Sequence, residues 1–185
     1  MSDFIELKIG LWNAWIGTVI AYGSQLLFTI LKPQIKKRLF NMSWYKPGDK
    51  FAAYLSMLLM YGMIIFSIWV PLKIGTVWFY MGLVIFLTGI ISSLIALHNY
   101  AAAPDNEAIV KGMYRISRNP LYFFYSIKML GLCIASASLP MLIFWIIYNI
   151  PTHFIILGEE KYCLKTYGES YKNYMKNVHR YFLFF

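Results

Sequence analysis

Long runs of residues without a charge constrain this chain more than any other feature of its sequence. Four stretches, residues 9–31, 51–70, 74–104 and 129–158, contain no Lys, Arg, Asp or Glu. Each is at least as long as the roughly 20 residues that an α-helix needs to cross a bilayer. Only 14% of the residues are charged and 59% are hydrophobic, whereas about a quarter are charged in a typical soluble domain. The sequence therefore predicts an all-α integral membrane protein, folded as one membrane domain over residues 1–185.

The apolar region from 121 to 157 is longer than a single span requires and is interrupted only by Lys128. Pro140 marks a break, because proline disfavours helical structure at the residue before it and fits the first turn of a new helix. A tight helical hairpin is therefore expected near the C-terminus. We predict five transmembrane helices, at about residues 9–31, 51–70, 74–98, 121–137 and 140–157.

Basic residues are concentrated in alternate loops. Residues 32–50 carry six Lys and Arg residues against one Asp, whereas the loop before residue 74 has only Lys73. The third loop and the C-terminal tail are again basic, and positively charged loops stay in the cytosol. We therefore expect the C-terminus in the cytosol and the N-terminus outside. The net charge of +9 is assigned to anionic membrane lipids rather than to a nucleic acid, because the basic residues lie beside apolar segments.

Polar residues that offer chemistry gather in two segments that flank the predicted hairpin, residues 110–122 and 158–171. A hairpin returns its two ends to one side of the membrane, so Arg118 and Glu160 are expected to be neighbours in one composite site. Asn119 and Pro120 suit the N-cap and the first position of a helix. Two interpretations of this segment stay open. It either only starts and anchors the helix, or its cation and free N–H groups bind an anion.

Two further residues, Glu159 and His153, could contribute to the same site beside Glu160. Glu159 and Glu160 are expected where the last transmembrane helix ends, where acidic side chains oppose the helix macrodipole. They imply a partner, which is either an arginine of the third loop or a ligand with cationic or hydroxyl groups. His153 precedes Glu160 by two helical turns and lies on the same face. It is either a hydrogen-bonded packing residue or a catalytic group.

Two polar residues lie within or at the end of other predicted helices. His98 closes the third helix and either borders the same pocket or caps the helix at the interface. Lys128 is the only charge inside a predicted helix, and ionisable residues within a membrane usually face a cavity or a pathway. Lys128 is expected to line a substrate cavity. The alternative is that its side chain is neutral or extends toward the membrane interface.

The tail after Glu160 alternates tyrosines with lysines. This pattern suits an amphipathic helix in the cytosolic head-group region, which could also cover a cofactor pocket. The two cysteines, Cys133 and Cys163, form no CxxC motif and have no His at ligand spacing. Neither a disulfide nor a metal site is therefore expected.

In these two segments the sequence resembles the isoprenylcysteine carboxyl methyltransferase and phospholipid N-methyltransferase superfamily. The resemblance covers about residues 84–181, and the motifs that carry it are Ser117-Arg-Asn-Pro-Leu-Tyr122, Glu159-Glu160 and Tyr167-Gly-Glu169, with a helical hairpin between the first two. It implies a membrane enzyme that binds S-adenosylmethionine at the cytosolic face with residues between about 98 and 181. The cofactor-binding residues that it implies are Tyr114, Arg118, Asn119, Pro120, Tyr122, Glu159 and Glu160.

The resemblance further implies methyl transfer to a hydrophobic or lipid-anchored acceptor, whose reacting group is a carboxylate, a thiol or an amine. The candidate catalytic residues are Arg118, Glu160 and His153, and the candidates for the substrate cavity are Lys128 and His98. Asn119 stands where prenylcysteine methyltransferases usually have His, which weighs against carboxyl methylation specifically. Two alternatives remain, a sterol-type membrane reductase that uses NADPH and a membrane protein without enzymatic activity. The adjacent pair Glu159 and Glu160 argues against the reductase.

Overall fold

The computed structural model describes residues 4–39, 41–42, 45–104 and 107–181, apart from the side chain of Lys37. Within these ranges the secondary structure is helical, with a single isolated β-bridge between Asn13 and Pro71, so the predicted all-α fold is confirmed. The α-helices are α1 (Trp15–Leu31), α2 (Lys36–Leu39), α3 (Pro47–Phe66), α4 (Val77–Ala102), α5 (Pro120–Ala135), α6 (Leu139–Tyr167) and α7 (Glu169–Asn177).

Each of the five predicted transmembrane segments coincides with an apolar helix. In the described residues, three helical stretches are long and apolar enough to cross a membrane: Pro47–Trp69, Val77–Ala102 and Leu139–Tyr167. Helices α1 and α5 are also apolar but are shorter, at 17 and 16 residues. The turn between α5 and α6 forms the expected hairpin, and Pro140 lies in the first turn of α6, where proline is tolerated.

Two predicted boundaries differ from the structure. Helix α1 begins at Trp15 rather than near residue 9, because the side-chain amide of Asn13 donates hydrogen bonds to the backbone oxygens of Lys8 and Ile68. These bonds hold residues 8–14 in a non-helical strap against the end of α3. Helix α6 continues past residue 157 to Tyr167 and stops at Gly168, whose φ of 55° lies in the left-handed region that glycine tolerates.

The longer α6 corrects one inference from the sequence. Glu159 and Glu160 lie inside this helix and not at its C-terminus. The macrodipole acts mainly in the first and last turns of a helix, so it does not oppose these two carboxylates. The partners of each carboxylate must instead be found in the surrounding residues.

The connections segregate to the two ends of the helix bundle. At one end, the strap of residues 8–14 pairs with the segment after α3, through Ala14 N–H to Val70 O (2.8 Å) and Leu72 N–H to Trp12 O (3.0 Å). The α5–α6 turn joins the same end, since Lys73 N–H donates to Ala135 O. At the other end lie the first loop, the loop before α5 and the tail, where Arg118 N–H donates to His179 O. The basic segments therefore share one end of the molecule.

Helices α4 and α5 approach so closely that only glycine fits between them. A Cβ atom added to Gly82 would lie 2.2 Å from Ala135 N and 2.4 Å from Gly131 O. A Cβ added to Gly89 would lie 2.5 Å from Lys128 N. Protein interiors are close-packed and transmit such shifts, so these glycines fix the position of α5. The face of α5 that carries the candidate site residues depends on this contact.

Candidate active site

A cavity of about 690 Å³ opens between the helices at the end with the basic loops. Its wall is polar near Glu159, Asn119 and the tyrosines of α7, and apolar further along α3 and α5, at Met60 and Met129. Cofactor and small-molecule sites in proteins usually have volumes of about 300–1,000 Å³. The cavity is therefore large enough for a cofactor and part of a second molecule, and it offers both a polar and an apolar section.

Glu160 is satisfied by the protein itself. Its Oε1 accepts hydrogen bonds from Arg118 Nε and Asn119 Nδ2, both at 2.9 Å, and its Oε2 accepts from Arg118 Nη2 at 3.2 Å. Arg180 Nε also donates to Oε2 at 2.9 Å. Glu160 is 4% exposed. Arg118 and Glu160, expected to be neighbours, thus form a bidentate pair, and Arg180 from the tail joins them.

Arg118 holds the tail as well as Glu160. Its Nη1 donates to the backbone oxygens of Met175 (3.2 Å) and Val178 (2.7 Å). Arginine has five N–H donors, and described residues accept hydrogen bonds from four of those of Arg118. The fifth can therefore bind another partner. Arg118 therefore connects the start of α5 to Glu160 and to the tail.

Asn119 occupies the N-cap position of α5, but its side chain does not cap the helix. It is instead directed across to Glu160, and its backbone N–H donates to Ser117 Oγ at 3.1 Å. Pro120 begins α5 as predicted. The expectation that Asn119 acts as a side-chain N-cap is wrong. A cap would need its Oδ1 to accept a hydrogen bond from an N–H of the first turn, whereas the side chain is oriented so that its Nδ2 donates to Glu160.

Glu159 has a different environment from its neighbour. Its Oε1 accepts a hydrogen bond of 2.5 Å from the Tyr122 hydroxyl, and Tyr45 is in hydrogen-bonding contact with both groups. The ion pairs between side chains that the structure describes do not include Glu159. Burial, with the negative charge of Glu159 nearby, raises the pKa of the Tyr45 hydroxyl, so Tyr45 stays a hydrogen-bond donor. Glu159 is thus a carboxylate on the cavity wall that neutral phenols hold.

Lys128 lies in the inner part of the cavity wall, with 1% of its surface exposed. Its Nζ donates to the backbone oxygen of Ala21 in α1 at 2.9 Å. The same nitrogen lies 4.2 Å from the ring centroid of Tyr125, within the range of a cation–π interaction. Lys128 therefore links α5 to α1 and carries a polar group deep into the apolar section.

Both histidines with a proposed role lie away from this cavity. His153 Nδ1 contacts the Tyr181 hydroxyl at 2.6 Å, and the two side chains border a second, smaller pocket of about 290 Å³. Tyr122 borders both pockets. His98 is exposed and is not part of the wall of either pocket, and α4 continues past it to Ala102.

The tail covers the polar end of the cavity. Tyr171 and Tyr174 of α7 are buried and face it, and the Tyr174 hydroxyl donates to the backbone oxygen of Tyr114, which also borders the cavity. The amphipathic pattern of the tail had suggested a helix of this kind.

Among the described residues, no group of three or more His, Cys, Asp or Glu side chains is placed to hold a metal ion.

Several cavity residues were not found from the sequence. Arg38 stacks over the ring of Tyr100 at 4.9 Å and donates to Ala103 O at 3.2 Å, and both side chains border the cavity. Arg38 lies in the first basic loop, where its charge was assigned to lipid head groups. Tyr45, at the end of the same loop, gave no signal because tyrosine is common at membrane interfaces. Only the folded chain shows that this loop closes over the cavity.

The sequence model of the phospholipid methyltransferase family matches residues 51–170, which is more than half of the chain and includes most of α3 and all of α4, α5 and α6. No curated protein and no solved structure matches the chain. The match confirms the resemblance that the motifs around Arg118 and Glu160 had indicated. The chain therefore belongs to the phospholipid methyltransferase family, a family of membrane methyltransferases.

Proposed function

We propose that this protein transfers a methyl group from S-adenosylmethionine to a lipid or lipid-anchored acceptor. The observation that carries the proposal is the carboxylate of Glu159, which lacks a cationic partner among the described ion pairs and borders a cavity with both a polar and an apolar section. A charged cofactor fits the polar section, and a lipid chain fits the apolar one. No nicotinamide reductase is invoked, since the family match favours methyl transfer.

The residues of the polar section suit the chemical groups of this cofactor. S-adenosylmethionine carries an ammonium, a carboxylate, two ribose hydroxyls and a sulfonium. Glu159 would bind the ammonium or the hydroxyls, and the remaining N–H of Arg118 would bind the carboxylate. The rings of Tyr122 and Tyr114 border the same section, and aromatic faces attract cations. When bound, the cofactor supplies an electrophilic methyl group.

The chain contributes mainly by positioning, because methyl transfer requires the acceptor atom to lie close to the methyl group and in line with the bond that breaks. The apolar section excludes water and orients the acceptor. If the acceptor is an amine, it must first lose its proton. Glu160 acts less directly, since it orients Arg118, whose other contacts hold the tail over the cavity. We assign His153 a similar anchoring role through Tyr181.

The first experiment is calorimetric titration of the detergent-solubilised protein with S-adenosylhomocysteine, which is the product of the cofactor. We expect micromolar binding, and a loss of at least about tenfold in Glu159→Gln, because a hydrogen bond to a charged group contributes about 1.5–3 kcal/mol. Glu169→Gln is the matched control, since Glu169 is exposed on α7 and pairs only with Lys172 among the described side chains. Titration with NADPH tests the reductase.

Either of two results would contradict this proposal. The first is the absence of S-adenosylhomocysteine binding to a wild-type sample that elutes as a single folded species. The second is equal affinity of wild type and Glu159→Gln, which would remove Glu159 from the cofactor site. Binding of NADPH in place of S-adenosylhomocysteine would indicate a reductase.

We also propose that the end with the basic loops faces the cytosol and that the N-terminal strap faces outward, because cytosolic loops carry an excess of Lys and Arg. Single cysteines introduced as Glu6→Cys and Lys172→Cys, in a background that lacks Cys133 and Cys163, test this orientation. Both native positions are exposed. We expect a membrane-impermeant maleimide to label position 6 in intact cells and position 172 only after permeabilisation. The reverse pattern would contradict the proposed orientation.

A further inference from the structure

The second pocket lies between α5 and α6, on the far side of Tyr122 from the main cavity, and we call it the α5–α6 groove. Its volume is about 290 Å³, close to the lower limit for small-molecule sites in proteins. The residues that border it include Phe123, Ser126, Asn149, His153, Ile156 and Tyr181. None of these six borders the main cavity.

The groove lies beside a surface of α6 that suits contact with lipid. Ile150 and Phe154, the residues next to Asn149 and His153 along the helix, are each 56% exposed. This helix is one of those long and apolar enough to cross a membrane. Ionisable side chains such as histidine are rare within membrane spans and usually mark a functional site. The groove therefore places polar groups where a membrane lipid can reach them.

The pair formed by His153 and Tyr181 leaves one hydrogen-bond donor and one acceptor unused. His153 Nδ1 and the Tyr181 hydroxyl are 2.6 Å apart, and His153 Nε2 makes no hydrogen bond with the described part of the chain. If the hydroxyl donates to Nδ1, Nε2 carries a proton and donates, while the Tyr181 oxygen can accept. In the other neutral tautomer, Nε2 accepts and the hydroxyl proton is available. Both tautomers therefore leave one donor and one acceptor.

Asn149 adds a neutral donor to the groove. Its Oδ1 accepts a hydrogen bond from Ser126 Oγ, and its Nδ2 donates to Trp145 O, both at 2.7 Å. An amide nitrogen has two N–H donors, and the second has no acceptor among the residues that the structure describes. The described residues that border the groove include no Lys, Arg, Asp or Glu. The groove thus offers hydrogen bonds without a fixed charge.

We propose that the α5–α6 groove binds an uncharged membrane lipid through a hydroxyl group. A hydroxyl both donates and accepts, so it matches the donor and the acceptor that His153 and Tyr181 leave unused. A carboxylate or a phosphodiester only accepts and an ammonium only donates, and burying such a charge without a partner is costly. The acyl chain would lie along the exposed apolar surface of α6. This site is separate from the cavity assigned to methyl transfer and does not depend on that assignment.

A lipid in the groove would support the wall of the main cavity from the membrane side. Tyr122 borders both pockets, and its hydroxyl donates to Glu159. Tyr181 belongs to the tail that Arg118 holds over the cavity. The bound lipid would therefore pack against one residue of the polar section and one residue of its cover.

Photolabelling in nanodiscs of phosphatidylcholine, a lipid without a hydroxyl group, tests this site. The probe is a monoacylglycerol that carries a diazirine next to its ester group, and mass spectrometry locates the labelled residues. We expect label at Phe123 or Ile156, which border the groove and not the main cavity. Unlabelled monoolein should displace the probe at a concentration at least about fivefold lower than its dimethyl ether, which keeps the chain and loses the hydroxyl donors.

Two variants separate the contributions of the polar groups. The double variant His153→Phe/Tyr181→Phe keeps both rings and removes their polar atoms, so monoolein should lose most of its advantage over the ether. Asn149→Leu should weaken both competitors by a similar factor, because an amide donates equally to a hydroxyl and an ether oxygen. The described side-chain hydrogen bonds of Asn149 do not involve the tail, so this variant distinguishes loss of the site from loss of the tail contact.

The matched control is His98→Phe/Tyr80→Phe, which makes the same chemical changes on α4. Both native side chains are exposed and border neither pocket, so the wild-type preference should be kept. The inference is overturned if wild type shows no label at Phe123 or Ile156, if monoolein and its ether compete equally, or if the control loses as much as the groove variant. Binding of S-adenosylhomocysteine by the same wild-type sample would show that such a failure concerns the groove alone.

Discussion

Glu160→Gln is expected to destabilise the protein by about 3 kcal/mol. Glu160 is 4% exposed and accepts hydrogen bonds from two arginines, one of which, Arg118, is itself 7% exposed. Removing one partner of a buried ion pair leaves the other charge uncompensated, which usually costs about 3–5 kcal/mol. For a chain of this size, a loss of about 3 kcal/mol corresponds to a decrease of roughly 6–12 °C in the melting temperature. Thermal unfolding in detergent, followed by circular dichroism, measures this decrease.

Glu169→Gln again provides the control, because it removes a carboxylate whose ion pair is exposed. The side chains of Lys172 and Glu169 are 56% and 76% exposed, and exposed pairs contribute about 0–1 kcal/mol. Limited proteolysis gives a second measurement: Glu160→Gln should speed tryptic cleavage at Lys172 and Lys176, since Glu160 orients the arginine that holds the tail. Equal melting temperatures and equal cleavage rates in the two variants would contradict a structural role for Glu160.

The difference between Glu159 and Glu160 illustrates what the sequence could not predict. Successive residues of an α-helix point about 100° apart, so two adjacent carboxylates must face different surroundings. Which of the two the protein itself satisfies depends in part on Arg180, which lies 20 residues further along the chain than Glu160. The resemblance to the family implied both residues as ligands of the cofactor. In the structure, Arg118, Asn119 and Arg180 donate hydrogen bonds to Glu160, whereas Glu159 is hydrogen-bonded to the tyrosine hydroxyls of Tyr122 and Tyr45.

The contacts of Arg118 could not be predicted from the sequence either. A cation near the start of a helix suggests anion binding, and nothing in the sequence shows that the backbone oxygens of Met175 and Val178 take up its donors. The apolar helices were more predictable, because a bilayer imposes a length and a composition that each segment shows independently. The ends of these helices were less predictable. Helix α1 starts later than predicted because Asn13 contacts Ile68, a residue 55 positions away.

Gly82→Ala is expected to cost about 3 kcal/mol, at the upper end of the range for overpacked sites. The added Cβ would lie 2.2 Å from Ala135 N and 2.4 Å from Gly131 O, and backbone atoms cannot move aside as a flexible side chain can. Helix α5 would have to shift away from α4. Because α5 carries Tyr122 and Lys128 into the cavity wall, we also expect weaker binding of S-adenosylhomocysteine.

Gly23→Ala makes the same chemical change where space is available. Gly23 lies in α1 and is exposed, and a Cβ added there would meet nothing within 4 Å. Alanine is favoured over glycine within a helix by about 1 kcal/mol, so this variant should melt at the wild-type temperature or slightly above it. The difference between the two variants therefore isolates the cost of separating α4 from α5. If Gly82→Ala is as stable as Gly23→Ala and binds S-adenosylhomocysteine with wild-type affinity, the close approach of these helices does not position the site, and the wall of the cavity must be held chiefly by the contacts of Glu160 and the tail.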